Sequence, residues 1–395
     1  MSAASAPAAA VAAAFALLTL TTGATAQGFE TQARAAYVVD HNTGQVLLEH
    51  NADLPLPPAS MSKLMTLNMV FEALDDGRLT LSTPLPVSQH CMDYGGSTMF
   101  LNTQDRPSVE ELVRGVVVLS GNDASCVLAE ALSPDGTETG AARMMTDRAR
   151  QLGMMNSTFV NSNGWPAPGH VMSVRDLGIL AERFVTEFPE YYHYFAETEF
   201  AWDGRAPDNR FNRNPLLSMN IGADGLKTGH TEEAGYGLVG SAMQGDRRVT
   251  FVISGLASVA DRATEAERIA NWGFRQFAER QVVTAGTIVA EAEVFLGERP
   301  SVGLAPAEDV TMLLPALQSG DIEAEAIYTG PLEAPVTEGQ QVGELIIRLD
   351  GFEDRSVPLV VAESVARGGF MVRIRAAFGI VLGEVLGRAA GAETG

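Results

Sequence analysis

Ala36-Tyr37-Val38-Val39-Asp40-His41-Asn42-Thr43-Gly44-Gln45-Val46-Leu47-Leu48 sets two apolar runs on either side of Asn42-Thr43-Gly44, the residue types that close a β-hairpin. A second stretch of the same kind comes some 190 residues later, where 235–242 and 248–255 are apolar-rich and are joined through Met243-Gln244-Gly245-Asp246. Between them the period changes. After Pro55, Pro57 and Pro58, residues 60–74 contain neither Gly nor Pro and carry Met, Leu, Phe, Val and Ala on nearly every side, which predicts a buried helix beginning near Ser60. Further helices are expected over 109–118, 125–132, 140–151 and 174–184. Two hairpins flanking a helical insertion can pair into one antiparallel sheet covered by helices, an α+β or three-layer α/β domain ending near Arg280.

From Gln281 to about Ala366 short strands separated by Gly and Pro take over. The pattern is plainest over 288–296, where one face is apolar and glutamates fill much of the other. This predicts a small antiparallel β domain. The expected organisation is therefore 1–26 a signal peptide, 27–280 a catalytic domain, 281–366 a small β domain, and 367–395 an amphipathic helix and tail.

The signal is read from residues 8–22, all Ala, Val, Leu, Phe or Thr, leading to Ala24-Thr25-Ala26 and a mature end at Gln27, although no Lys or Arg precedes the run. No other stretch approaches 18 uninterrupted apolar residues. At the far end Phe370, Ile374, Phe378, Leu382 and Leu386 recur every four residues, and Arg373, Arg375 and Arg388 outnumber Glu384. Two readings stand: a helix docked on its own protein, or a peripheral anchor lying on an anionic lipid surface.

The chain of 395 residues is long enough for two cores, and its net charge of −22, from 49 acidic against 27 basic residues, argues against nucleic acid as a partner. No Cys/His spacing suggests a metal site. Cys91 and Cys126 either pair or remain buried thiols.

Three short motifs carry chemistry. In Ser60-Met61-Ser62-Lys63 the hydroxyl and the amine stand three residues apart, one above the other on a helix. A serine needs a base to become a nucleophile, and a lysine serves as one only when desolvation or neighbouring cations lower its pKa. Ser120-Gly121-Asn122 follows the apolar run 116–119 and offers a hydroxyl and an amide from a loop. Asp224-Gly225-Leu226-Lys227-Thr228-Gly229-His230-Thr231 supplies a cation suited to a substrate carboxylate, together with a glycine where backbone can approach a ligand. Each motif alone more often marks a helix cap, a turn or a strand end.

Their joint occurrence, in this order, resembles the active-site serine penicillin-recognising enzymes. With Pro58–Thr66, Ser120–Ala124, Leu152–Phe159 and Asp224–Thr231 taken together, the chain is similar to the low-molecular-mass penicillin-binding proteins of the D-alanyl-D-alanine carboxypeptidase type. The resemblance implies that fold, an antiparallel sheet flanked by helices with a helical subdomain, followed by a small all-β domain. It implies a Ser60 acyl-enzyme that removes the terminal D-alanine from peptidoglycan stem peptides and is captured by β-lactams, in the periplasm at the outer face of the inner membrane, with no cofactor. Lys63 would be the base, Ser120 a proton relay, and Asn122 a holder of the peptide amide and of Lys63. Lys227 and Thr228 would receive the terminal carboxylate beside Gly229, and the backbone N–H groups of Ser60 and His230 would form the oxyanion hole. The region Asn161–Trp165 with His170, Ser173 and Asp176 is similar to the family's post-helix region, where some relatives have His in place of Asn163 and Leu in place of Trp165. His170 and Asp176 themselves read most simply as caps or members of a satisfied polar network. A β-lactamase of the kind that deacylates through a glutamate is the alternative, but Glu182, Glu187 and Glu190 lack the Glu-x-x-x-Asn arrangement of that branch.

Overall fold

The computed structural model describes residues 29–205, 209–316, 322–349 and 354–370, with Ile374. The expected signal over 1–26 and most of the helix expected over 367–395 lie outside the described residues.

The two hairpins pair as their alternation predicts. β1 (Ala35–Asp40) and β2 (Val46–His50) join β3 (Ala223–Thr231), β4 (Gly235–Gln244) and β5 (Arg247–Leu256) in a five-stranded antiparallel sheet of order β2-β1-β5-β4-β3. Side chains alternate between its faces. Ala35, Val239 and Val252 join the larger core under the helical insertion, whereas Ala36, Val38, Leu238, Phe251 and Ile253 join a second core on the opposite face. Between β2 and β3 run α1 (Lys63–Asp75), α2 (Gln89–Met92), α3 (Val109–Arg114), α4 (Asn122–Leu132), α5 (Glu138–Gln151), α6 (Val174–Thr186) and α7 (Pro189–Tyr192). α6 packs on the first face and α8 (Val259–Arg275), which follows β5, on the other.

Most of these helices begin at a side-chain cap. Ser88, Ser108, Thr137, Ser173 and Ser258 each accept a backbone N–H at the start of α2, α3, α5, α6 and α8, a contact worth about 1 kcal/mol apiece. α1 differs. Its lead-in is a 3₁₀ turn over Ala59–Ser62, entered through Ala59 at φ +49°, so the helix expected to begin near Ser60 becomes regular only at Lys63. Lys63 to Phe71 is buried without a break, which is why no polar face shows in the sequence there.

The chain leaves α8 along β6 (Phe277–Val283) into a region whose named elements among the described residues are strands: β7 (Ala290–Phe295), β8 (Ser301–Pro306), β9 (Val310–Pro315), β10 (Glu323–Tyr328), β11 (Leu332–Glu333), β12 (Gln341–Arg348) and β13 (Arg355–Val361). β6 pairs with β9, and the others form a six-stranded sheet of order β10-β12-β13-β8-β7-β11. In β7 the glutamates stay exposed while Ala292 and Val294 are buried. Gln45, in the turn of the first hairpin, donates to Leu313 O at 3.1 Å and accepts from Leu313 N at 3.1 Å, a paired contact between the two regions.

Candidate active site

The three motifs converge although they come from different parts of the chain. Ser60 stands on the 3₁₀ turn and Lys63 one turn later, so the two side chains share a face, with Lys63 Nζ donating to Ser60 Oγ at 3.0 Å. Lys63 is fully buried, and its other partners are Asn122 Oδ1 and Asn163 O, both at 2.7 Å. Loss of solvent, then the nearby Arg213 guanidinium, lower its pKa to about 7, against the opposing pull of Asp123 and Glu138.

Ser120 and Asn122 reach this point through an irregular turn. α3 runs on as a π-helical turn over Gly115–Leu119, a form that often marks functional sites. Ser120 then takes the left-handed conformation at φ +59°, an arrangement that a non-glycine residue adopts at a cost. Its hydroxyl accepts from Lys227 Nζ at 2.9 Å. Asn122 opens α4 with its amide fixed at both ends: Nδ2 donates to Gly95 O at 2.8 Å and Oδ1 faces Lys63. The segment opposite is held by Asp123, whose carboxylate accepts from Met99 N and Leu101 N.

Lys227, Thr228, Gly229 and His230 lie in β3, the edge strand of the sheet. Lys227 is buried, and that burial, with Lys63 and Arg213 close by, pushes its ammonium well below the usual lysine range. Gly229 is required by contact, since a Cβ there would come within 2.9 Å of Pro58 O and 3.0 Å of Met61 Cγ. Its smallness lets β3 press against the Ser60 turn. The His230 ring is exposed and stacks on Tyr236 at 3.9 Å, leaving its backbone beside the cleft.

Further residues complete the site without a motif to announce them. Glu138, at the start of α5 and 5% exposed, accepts from Ser162 N, Ser162 Oγ, Tyr94 OH and His90 Nε2. One carboxylate thus ties the loop carrying Gly95 to the loop carrying Asn163, the two loops that hold the partners of Lys63. Cys91 and Cys126 form a disulfide that binds the first of these loops to α4. His170 lies behind the Ser60 turn: its Nε2 meets Ser62 Oγ at 2.7 Å, its Nδ1 accepts from Val160 N at 3.2 Å, and burial lowers its pKa to about 4. Asp176 accepts from Ser157 Oγ at 2.6 Å and Asn156 N at 2.9 Å. Both are members of satisfied networks, as their sequence context suggested.

Residues 21–257 match the family described as D-alanyl-D-alanine carboxypeptidase, and 277–367 match the penicillin-binding protein 5 C-terminal domain. The chain is 36% identical over 351 residues to the D-alanyl-D-alanine carboxypeptidase DacC of Escherichia coli (strain K12), covering 87% of this chain and 86% of that protein. Penicillin-binding protein 5 from Haemophilus influenzae superposes with a TM-score of 0.73 at 31% identity, over 86% of this chain and 98% of that one. Penicillin-binding protein D2 from Listeria monocytogenes in its ampicillin-bound form superposes with a TM-score of 0.56 at 31% identity, over 62% of this chain and 98% of the other.

Proposed function

The chain belongs to the serine D-alanyl-D-alanine carboxypeptidase family of penicillin-binding proteins, and from that premise we propose that it hydrolyses the terminal D-alanine from peptidoglycan stem peptides, with Ser60 as nucleophile and Lys63 as base. The observation that carries the assignment is the buried Lys63 amine 3.0 Å from the Ser60 hydroxyl, with a pKa lowered to about 7, into the range a general base needs near neutrality.

Substrate lies along the open edge of β3. Its terminal carboxylate meets Lys227 and Thr228, and its scissile carbonyl points at the backbone N–H groups of Ser60 and His230. Ser60 Oγ bonds to the carbonyl carbon while its proton passes to Lys63. The C–N bond then breaks, and Ser120 relays a proton from the Lys63 side to the leaving D-alanine nitrogen. Water attacks the resulting ester and regenerates Ser60. Asn122 holds Lys63 through Oδ1 and keeps a second Nδ2 hydrogen for the peptide. A carboxylate at hydrogen-bond distance favours the protonated form of Lys227 and opposes the burial that lowers its pKa. A β-lactam offers a strained amide to the same serine. The ampicillin-bound state of the Listeria neighbour supports that extension.

The enzyme works in the periplasm, where the expected signal would send it, with 367–395 resting on the outer face of the inner membrane. No helix among the described residues is long and apolar enough to cross a membrane. Wild type and Ser60→Ala, incubated with fluorescent penicillin and with a pentapeptide ending in D-Ala-D-Ala, test the proposal. Wild type is expected to carry a covalent label and release D-alanine, and the variant, folded, to do neither. Label retained on Ser60→Ala would overturn the assignment.

A further inference from the structure

The chain has two cysteines, and they pair beside the catalytic cleft. Cys91 stands on α2 and Cys126 on α4, so the bond joins segments 35 residues apart in sequence. We propose that this disulfide positions Asn122 for the acylation of Ser60 and acts as a redox switch on that step: oxidised, it holds Asn122 against Lys63, and a dithiol that reduces it slows acylation. The inference rests on the roles proposed above for Ser60 and Lys63.

Asn122 is anchored twice on one segment. Its Nδ2 donates to Gly95 O at 2.8 Å and its backbone N donates to Ser97 O at 2.7 Å, while the next residue, Asp123, accepts from Met99 N and Leu101 N. Both partners of Asn122 are backbone carbonyls, so the path of the loop sets their positions. That path has little regular structure of its own. Between α1 and α3, residues 76–108 contain a single named element, the four-residue α2. One helical turn does not stand alone in water, so whatever ties α2 down also fixes the loop that follows it.

Side chains hold α2 in place at Ser88, His90 and Cys91. Ser88 Oγ donates to Glu130 Oε1 at 3.0 Å, and His90 Nε2 meets Glu138 Oε2 at 2.9 Å, with the His90 side chain 59% exposed. Water can replace polar contacts of this kind at small cost. It cannot replace the bond from Cys91 to Cys126. The register of that bond matters too: Cys126 lies one turn after Asn122 on α4, and Cys91 lies four residues before Gly95. Together they close a small ring through α4, Asn122 and the segment 91–95. That ring fixes the Asn122 Oδ1 that sits 2.7 Å from Lys63 Nζ.

The reductant is a dithiol from outside the chain. One of its thiolates attacks Sγ of either cysteine, the S–S bond breaks, and a mixed disulfide forms; the second thiol then displaces the cysteine and releases it. Two electrons and two protons pass to Cys91 and Cys126, and the dithiol leaves as its own disulfide. With the tether open, α2 keeps only its non-covalent contacts, and the carbonyls of Gly95 and Ser97 no longer hold Asn122 at one distance from the base.

The test compares oxidised enzyme, enzyme reduced with dithiothreitol and then freed of it by gel filtration under nitrogen, and the double variant Cys91→Ser with Cys126→Ser. Thiol titration verifies each redox state, and stopped-flow labelling with fluorescent penicillin gives the acylation rate. Reduction is expected to slow acylation about tenfold, within the hundredfold that a misplacement of about 1 Å can cost, and reoxidation should restore the rate. The double variant should match the reduced enzyme and be indifferent to dithiothreitol. In both, the pH midpoint of acylation should move upward, because water admitted beside Lys63 relieves the burial that lowers its pKa. Arg213, Asp123, Glu138, Lys227 and His170 surround the amine in either redox state, so the movement reports water and not a changed set of charges. A thermal melt of each form verifies the fold. A bond that merely stabilises would lower the melting temperature and leave rate and midpoint unchanged well below the melt. That result, unfolding on reduction, or a bond that dithiothreitol cannot open in the folded enzyme overturns the inference while Ser60 keeps its label. Oxidised wild type that takes no label overturns the reading of Ser60 and Lys63 instead.

Discussion

Between Ala35 and Leu256 the protein buries Lys63, Asp123, Glu138, Asp176 and Lys227, along with many uncharged polar side chains, whereas from Phe277 onward every buried side chain among the described residues is apolar. The β region does what a small domain does for stability: Val302, Leu304, Val361 and Val365 close one core, and Leu345, Ile347 and Leu359 another. The helical region forgoes part of that gain. A buried ionisable group costs several kcal/mol unless it is partnered, and the cost appears as a displaced pKa. In the cleft that displacement suits the base role proposed for Lys63, since it brings the pKa to about 7. The comparison separates a part of the chain built to hold destabilising polar groups in place from a part that packs and carries no such burden.

The largest effect should come from the group on which the contrast turns. Lys63→Arg keeps the positive charge but supplies a guanidinium that stays protonated. Penicillin acylation is expected to fall by on the order of a thousandfold, within the span that general bases contribute. Stopped-flow labelling measures it, and near wild-type acylation would remove Lys63 from the role of base.

Next is Lys227→Gln, which should lower kcat/KM for a D-Ala-D-Ala peptide by about 10- to 100-fold, the worth of a charged hydrogen bond. Amidating the substrate's terminal carboxylate should then cost the variant much less than it costs wild type. Equal losses in both enzymes would mean that Lys227 does not read the carboxylate.

A smaller change, with a defined direction, is expected of the brace. Wild-type acylation should rise with pH through a midpoint near 7, since Lys63 must be neutral to accept the proton and its pKa lies at about 7. The Glu138 carboxylate raises that pKa, against the depressing effects of burial and Arg213. Glu138→Gln should therefore move the midpoint to lower pH while reducing the plateau rate, because the two loops around Lys63 lose a shared anchor. A plateau loss with the midpoint unmoved would assign Glu138 to structure alone.

The least effect on chemistry should come from the other region. Leu304→Ala, in the closed β core, is expected to destabilise that domain by about 2–5 kcal/mol by leaving a cavity. Calorimetry would detect this loss, and the pH profile of acylation should be unchanged. A shifted midpoint in Leu304→Ala would show that the two regions are coupled and would weaken the contrast.

Much of the fold could be read along the chain because its signals are local. The two hairpins, the uninterrupted apolar run of α1 and the helices expected over 109–118, 140–151 and 174–184 follow from patterns within a few residues of each other, and the structure adds the caps Ser108, Thr137 and Ser173. The Ser60 and Lys63 pair was legible for the same reason, three residues on one helical face. The brace was not. Glu138 lies 24 residues from Ser162 and 44 from Tyr94, and nothing near it in sequence separates it from a helix-capping acid. Likewise the carbonyl of Asn163, 100 residues from Lys63, is a backbone acceptor that no residue type could flag. The pairing of Cys91 with Cys126 was open until α2 and α4 were seen side by side.

By itself, then, the sequence determined which hydroxyl, amine, amide and cation the protein owns and placed Ser60 and Lys63 together on one helical face, because residue identity and periodicity are properties of neighbours along the chain; that Asn122 opens α4 and Lys227 sits in β3 emerged only in the fold. Only the tertiary structure decided what those groups can do. The pKa of Lys63 and the anchoring of Asn122 both depend on segments tens to more than a hundred residues apart excluding water together. Desolvation acts through space, and separation along the chain carries no record of it.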